Sequence, residues 1–256
     1  MNKSYEQITP ELAIRIRLVM TDVDGTLVSS GDSISPAVAG AISHLQEQGI
    51  DVGFVSGRTL PELVSMALHL GINGPIIAEN GGVARLSASG ELVDLGYSRQ
   101  PAFDALEKLK KLFPDAISER EDNKDRIVDV VIRSQGVAPE ELRRHLGGTQ
   151  LLDSGYILHL MQEGISKGKT LVRLLEEMGY SRLSPKEVMV IGDSLTDISL
   201  FELFPYSVLI INPRLPAEQR EMMRERARYV SSLPFDEGFV EVTSHIIRAR
   251  GGKMQQ

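Results

Sequence analysis

No cysteine occurs among the 256 residues. That absence excludes disulfides, thiolate metal sites and a cysteine nucleophile, and it fits a reducing cytoplasm. No stretch approaches the ~18 consecutive apolar residues of a membrane span. The opening MNKSYEQITPELAIRIR lacks the apolar centre and small-residue cleavage site of a secretory signal. A cytoplasmic protein that neither crosses nor binds a membrane is expected. Positive charge is scarce as well. The formal net charge of −7 argues against nucleic acid as the main partner, because phosphate backbones are bound by positive surfaces. The densest basic run, REMMRERAR at 220–228, interleaves Glu and Arg at helical spacing and reads as a solvated helix face. The five histidines are scattered, with no HExxH and no close pair. His159 is the one singled out, because it lies where an inserted segment returns to the main fold.

What is present is an alternation of strand-length apolar runs with amphipathic helical patterns, the signature of an α/β fold on a mostly parallel sheet. A strand is expected at 14–20, then a helix opened by Ser35-Pro36 and stopped by Gly49. DVGFV (51–55) reads as a second strand, 61–70 as a helix closed by Gly71, and PIIA (75–78) as a third strand. After ENGG the rhythm changes. VARLSASGELVDL reads as a hairpin, followed by helices at 101–112 and 139–146 and strands at 127–134 and 150–152. From Lys169 the α/β pattern resumes, with strands VMVI (188–191) and SVLII (207–211) and helices at 169–178, from Asp197, at 217–228 and at 238–248. The expected organisation is a core of residues 1–82 and 158–256 interrupted by a small α+β domain, 83–157. Residues 1–13 receive no role.

In open α/β sheets ligands sit at the carboxyl ends of strands. The loops there are TDVDGT, SGR (56–58) and GDSLTD (192–197), and GISKGK (164–169) adds a lysine at a helix start. Asp22 and Asp24, two residues apart in an extended segment, should point into one pocket. That placement is costly unless a cation lies between them. With Asp193 and Asp197 they form an oxygen-only ligand set suited to a hard ion such as Mg2+. Gly25 permits a sharp turn, and Thr26 can bond a neighbouring carboxylate. Such a site suits phosphoryl transfer. Asp22 would be the nucleophile, Asp24 the acid and then the base, and Ser56 and Lys167 the phosphate contacts. Lys167 is preferred to Lys169. The GKT at 168–170 is not a nucleotide loop, because only three residues separate Gly164 from Gly168. Arg58 reads as a helix-start or salt-bridge residue outside the site, and Asn80 as either a rim or a turn residue. Lys124, Arg126 and Arg133 are candidates to meet a substrate carboxylate.

DVDGT, SGR, ISKG and GDSLTD, in that order, resemble the four motifs of the haloacid dehalogenase superfamily of phosphatases. The resemblance implies a Rossmann-like core and, between the second and third motifs, a type C2 cap. LGINGPIIAENGG (70–82) and SGYILHLMQEGISKGKTL (154–171) look most like archaeal-type phosphoglycolate phosphatases, and more loosely like Cof-type sugar phosphatases and sucrose-phosphate phosphatases. It implies an aspartyl-phosphate on Asp22, a Mg2+ held by Asp22, Asp193, Asp197 and the carbonyl of Asp24, and a small phosphorylated metabolite as substrate. Many relatives have Asn where this chain has Thr196, so an amide contact to the second motif is expected to be missing. A sugar-phosphate phosphatase, a phosphomutase and a non-catalytic phospho-acceptor module are the competing readings. Hinges are expected near Gly81-Gly82 and at 154–158.

Overall fold

The computed structural model describes residues 3–29, 33–155, 157–177 and 183–251. Its first elements are β1 (Lys3–Ser4), α1 (Pro10–Arg15), β2 (Leu18–Thr21), α2 (Pro36–Glu47), β3 (Asp51–Val55), α3 (Leu60–Leu70) and β4 (Ile76–Ala78). A hairpin of β5 (Val83–Arg85) and β6 (Leu92–Val93) follows. Then come α4 (Gln100–Leu112), β7 (Ile117–Glu119), β8 (Val130–Ser134), α5 (Pro139–Arg143), β9 (Thr149–Asp153) and β10 (Leu158–Gln162). The chain continues through α6 (Lys167–Glu177), β11 (Val188–Gly192), α7 (Ile198–Leu203), β12 (Ser207–Ile211), α8 (Ala217–Arg226), β13 (Tyr229–Pro234) and α9 (Phe235–Ala249).

Nine strands form one sheet in the order β1-β13-β12-β11-β2-β3-β4-β5-β6. It is parallel from β1 to β4 and antiparallel across the hairpin. Its central strands are buried on both faces, as parallel strands between helical layers must be. Val19, Val52, Phe54 and Ile191 feed the core cluster on one side, while Leu18, Met20, Val55 and Val190 feed the other. A second, antiparallel sheet, β7-β8-β10-β9, packs with α4 over its own apolar cluster, which includes Leu106, Leu109, Ile132 and Leu160. This is the mostly parallel α/β core with a smaller α+β unit that the motif order implies.

Three expectations change. The run expected as a strand at 14–20 starts inside a helix. Thr9 caps it by accepting from the Leu12 N–H, Pro10 fits its first turn, and the strand begins only at Leu18. The boundaries expected at 82/83 and 157/158 do not follow the sheets. Hairpin β5–β6 pairs with β4 and so belongs to the large sheet, whereas β10 pairs with β8 and β9 in the small one. The chain therefore passes between the sheets at about 94–99 and 163–166. Gly81, expected near a hinge, is wedged within the core: a Cβ there would lie 2.5 Å from the Ser166 backbone, and Thr170 Oγ1 donates to its carbonyl at 2.7 Å. Of the other expected hinge, Tyr156 lies outside the described residues. Strands β1, β7, β10 and β13 were not foreseen.

Candidate active site

The site forms where β2 and β11 end side by side. The Asp22 N–H donates to the Ile191 carbonyl at 2.8 Å, which continues the strand pairing one residue past β2. The backbone then turns over at once. Val23 O accepts from Leu27 N (2.8 Å) and Val28 N (3.0 Å), and Gly25 takes φ 86°. Only glycine suits that position, because a Cβ on Gly25 would lie 2.3 Å from Asp193 Oδ2. Asp22 is left buried at the floor of the cleft.

Asp22, Asp193 and Asp197 each present an oxygen, and these atoms lie within 4.8 Å of one another. Lys167, at the start of α6, donates from Nζ to Asp22 Oδ1 (2.9 Å) and Asp197 Oδ1 (2.7 Å). It is 1% exposed, so it is the buried cation of the cluster rather than a solvated neighbour. Asp193 is fixed by Thr26 Oγ1 (2.9 Å) and Asn212 Nδ2 (2.6 Å). Asp197 Oδ2 accepts from the N–H groups of Asp193 and Ser194, at 3.0 Å each. Ser56 is buried at the end of β3, where its Oγ accepts from the Arg58 N–H (3.2 Å). Thr196, at the position where an amide was expected to be missing, bonds Ser194 Oγ (2.9 Å).

Three carboxylates and one ammonium leave two net negative charges when all are ionised. Burial, and then Asp197, push Asp193 up to about 7. Burial, only partly offset by Lys167, holds Asp22 well above the usual carboxylate range. Burial disfavours the Lys167 ammonium, but Asp197 and Asp22 outweigh it and raise Lys167 above its ordinary value. The cluster thus lacks about the charge that one divalent cation supplies, and its donors are all oxygens. The residues fit such an ion.

Asp24 meets expectation in part. It lines the same cleft as Asp22, but its carboxylate is not among the acids clustered at Asp22, Asp193 and Asp197, because the chain turns sharply at Gly25. It is 57% exposed in its side chain and is gripped by Arg58, Nη2 to Oδ1 at 2.6 Å and Nε to Oδ2 at 2.9 Å. Both residues line a cleft of about 400 Å³ shared by Asp22, Ser56, Lys167 and Asp193. Arg58, read as lying outside the site, is therefore part of its wall.

The smaller sheet supplies the roof. Glu79, just after β4, accepts from the N–H groups of Ile127 (2.8 Å), Val128 (2.7 Å) and Asp129 (3.0 Å). Arg126 donates to both oxygens of Asp129, to Asp122 and to the Gly57 carbonyl. Asp129 accepts from His159 Nδ1 at 2.6 Å. Burial opposes ionisation of Asp129, yet the His159 bond and the Arg126 charge hold it below the usual carboxylate range. Of the three basic candidates in this unit, Arg126 lines the cleft with its guanidinium already committed, while Lys124 and Arg133 are exposed outside it. Sequence reasoning missed Asn212 and Glu79. Asn212 follows β12, so reading the carboxyl end of every strand would have found it.

A protein-family profile described as haloacid dehalogenase-like hydrolase matches residues 19–124 and 107–215. The chain belongs to that family. Relatives include the phosphoglycolate phosphatases of Methanospirillum hungatei, 32% identical over 231 residues (89% of this chain, 95% of the relative), and of Methanoculleus marisnigri, 34% identical over 232 (88% and 94%). Among solved structures, protein 0175 of Thermoplasma acidophilum superposes with a TM-score of 0.74 at 26% identity, covering 90% of this chain and 98% of that one. The sucrose-phosphatase of Synechocystis, solved with sucrose and phosphate, has a TM-score of 0.68 at 18% identity over 90% and 97%, a likeness of fold alone. The chain is an enzyme of the phosphatase branch of this superfamily. No helix among the described residues is long and apolar enough to cross a membrane.

Proposed function

We propose that the protein is a Mg2+-dependent phosphomonoesterase acting on a small phosphorylated metabolite, with 2-phosphoglycolate as the leading substrate. The observation that carries this is the cluster of Asp22, Asp193 and Asp197 around Lys167 at the floor of a cleft of about 400 Å³. A compact phosphate ester fits within a cleft of this volume. The names of the two methanogen relatives, aligned over nearly the whole chain, support the choice of phosphoglycolate.

Asp22, Asp193 and Asp197 would hold the ion, with the Asp24 carbonyl as a further ligand. An ion held there would neutralise the acids and supply a Lewis acid to polarise the phosphoryl group. Asp22 Oδ attacks phosphorus and the ester oxygen leaves, giving an aspartyl-phosphate and the free alcohol. Asp24 gives the leaving oxygen its proton and then takes one from the water that attacks the intermediate, which regenerates Asp22 and releases phosphate. Lys167 and Ser56 hold the phosphoryl oxygens as negative charge develops on them.

The test is phosphate release from a panel of small esters with Mg2+ and with EDTA, using Asp22→Asn as control. Turnover of 2-phosphoglycolate that is lost in EDTA and in the variant is the expected result. A folded protein that releases phosphate from none of the esters would refute the reading.

A further inference from the structure

Asn80 occupies a turn and also lines the cleft. Its backbone takes φ 53°, which asparagine tolerates, and its N–H donates to the Ser56 carbonyl at 3.0 Å. A turn needs nothing more from it. Yet the residue is 2% exposed, lines the cleft, and has a buried Nδ2 with no hydrogen-bond partner among the described residues. A buried amide donor left unpaired is costly, and such groups usually await a partner.

His159 stands beside it. A Cβ built on Gly57 would lie 3.1 Å from Nδ2 and Oδ1 of Asn80 and 3.3 Å from Cε1 of His159, so both side chains meet over the bare α-carbon of Gly57, one residue from Ser56. The His159 ring is aimed by its Nδ1 bond to Asp129. Its Nε2 has no partner among the described residues, and the ring also lines the cleft.

The cations near the cleft leave this position to those two residues. Arg58 is forked on Asp24, Arg120 is bonded to Asp122, and Arg126 is bonded to Asp122, Asp129 and Gly57. Arg214 stacks on Phe235 at the exposed rim, 4.7 Å from the ring centre.

We propose that Asn80 and His159 together form the subsite for the leaving group, and that they recognise a carboxylate carried one or two carbons from the ester oxygen. The inference rests on the phosphomonoesterase reading above and names the residues that would recognise the carboxylate of its leading substrate. Asn80 Nδ2 donates to the carboxylate. His159 Nε2 meets it from the roof, with the ring held on its other side by the Nδ1 bond to Asp129. Binding here sets the ester oxygen over Asp22, with Ser56 at the phosphoryl end.

The test compares 2-phosphoglycolate with ethyl phosphate, an ester of the same length without the carboxylate. The native protein should prefer the first. Asn80→Gly keeps the left-handed backbone and removes the amide. His159→Asn keeps a donor near Nδ1 and removes the nitrogen at Nε2, whereas His159→Gln does the reverse. In Asn80→Gly and His159→Asn the ratio of kcat/KM for the two esters should fall about tenfold or more, the effect of one lost hydrogen bond to a charged group. His159→Gln should recover part of it. The proposal is overturned if the native protein turns over both esters equally, or if the variants lose activity on both with the ratio held within about twofold. Either result leaves the phosphatase reading standing. Failure to hydrolyse any ester would remove that reading and this one together.

Discussion

Arg58 and Asp24 form a two-point ion pair across the mouth of the cleft, with bonds of 2.6 and 2.9 Å. The pair joins the loops after β2 and β3, across 34 residues of sequence, and holds the intended acid/base away from the floor where Asp22 lies. Arg58 is thus a positioning residue for Asp24. Arg58→Ala should lower kcat about tenfold with a smaller change in KM. Folding stability should move by about 1 kcal/mol, because the Asp24 side of the pair is 57% exposed to screening solvent. Asp24→Asn should lower kcat by about 10²- to 10⁴-fold, the usual range for a lost acid/base. Steady-state kinetics and urea unfolding check both, and an Arg58→Ala enzyme with native kcat would contradict the positioning role.

The carboxylate floor ties stability to pH and metal. Asp193 is raised to about 7 and Asp22 is raised too, so without metal the folded state holds protons that the unfolded chain has released above pH ~4. The sign follows: in EDTA, stability falls as pH climbs from about 4 to about 7, after which Asp193 adds no further slope. Mg2+ should therefore raise the melting temperature by several degrees at pH 8 and by much less at pH 5. Asp193→Asn should flatten the EDTA profile. Thermal scans at the two pH values, with and without Mg2+, measure this. An equal Mg2+ effect at both would count against it.

Gly25→Ala is expected to damage the site and spare the fold around it. The new methyl group would meet Asp193 Oδ2 at 2.3 Å, and the backbone at φ 86° disfavours any Cβ. Asp193 must move, so the Mg2+ concentration for half-maximal activity should rise at least tenfold. A metal titration of activity decides it, with circular dichroism as the folding control.

Glu79 ties the two sheets together through three backbone hydrogen bonds. Glu79→Ala removes the acceptor of three N–H groups, two of them on the buried residues Val128 and Asp129, and should cost about 2–4 kcal/mol. Amide exchange at 127–129 should speed up well before global unfolding. Burial and Asp129 raise Glu79 to about 7 against those three donors, so its contribution also weakens as pH rises towards 7. Hydrogen exchange at pH 6 and 8 reads this out, and unchanged protection at 127–129 in the variant would reject it.

Much of this architecture was legible from local pattern. Strands β3 and β12 fall at 51–55 and 207–211 as read from their apolar runs, and Ser35-Pro36 and Gly71 bracket helices where capping chemistry puts them. The strands that escaped notice depend on distant partners. β10 includes His159 and is a strand because β8 and β9 flank it, while β13 carries two serines and is recruited beside β12. The same distinction holds in the site. Asp22, Asp193, Asp197 and Lys167 sit at strand ends or a helix start and come together, and Ser56 lines the same cleft. The Asp24 carboxylate does not join them, because its direction is set by the turn at Gly25, and the links of Glu79 to the roof join residues 48 to 50 apart. Periodicity has no access to either.

Glu79 and Asn80 are consecutive, and both are held at positive φ without being glycine. One side chain reaches up to the roof and its neighbour faces the cleft, so a single bend serves two masters. Any attempt to retune ester choice by randomising this bend would loosen the lid in the same stroke. A directed-evolution library would do better to vary the strand bearing His159 and leave the bend untouched.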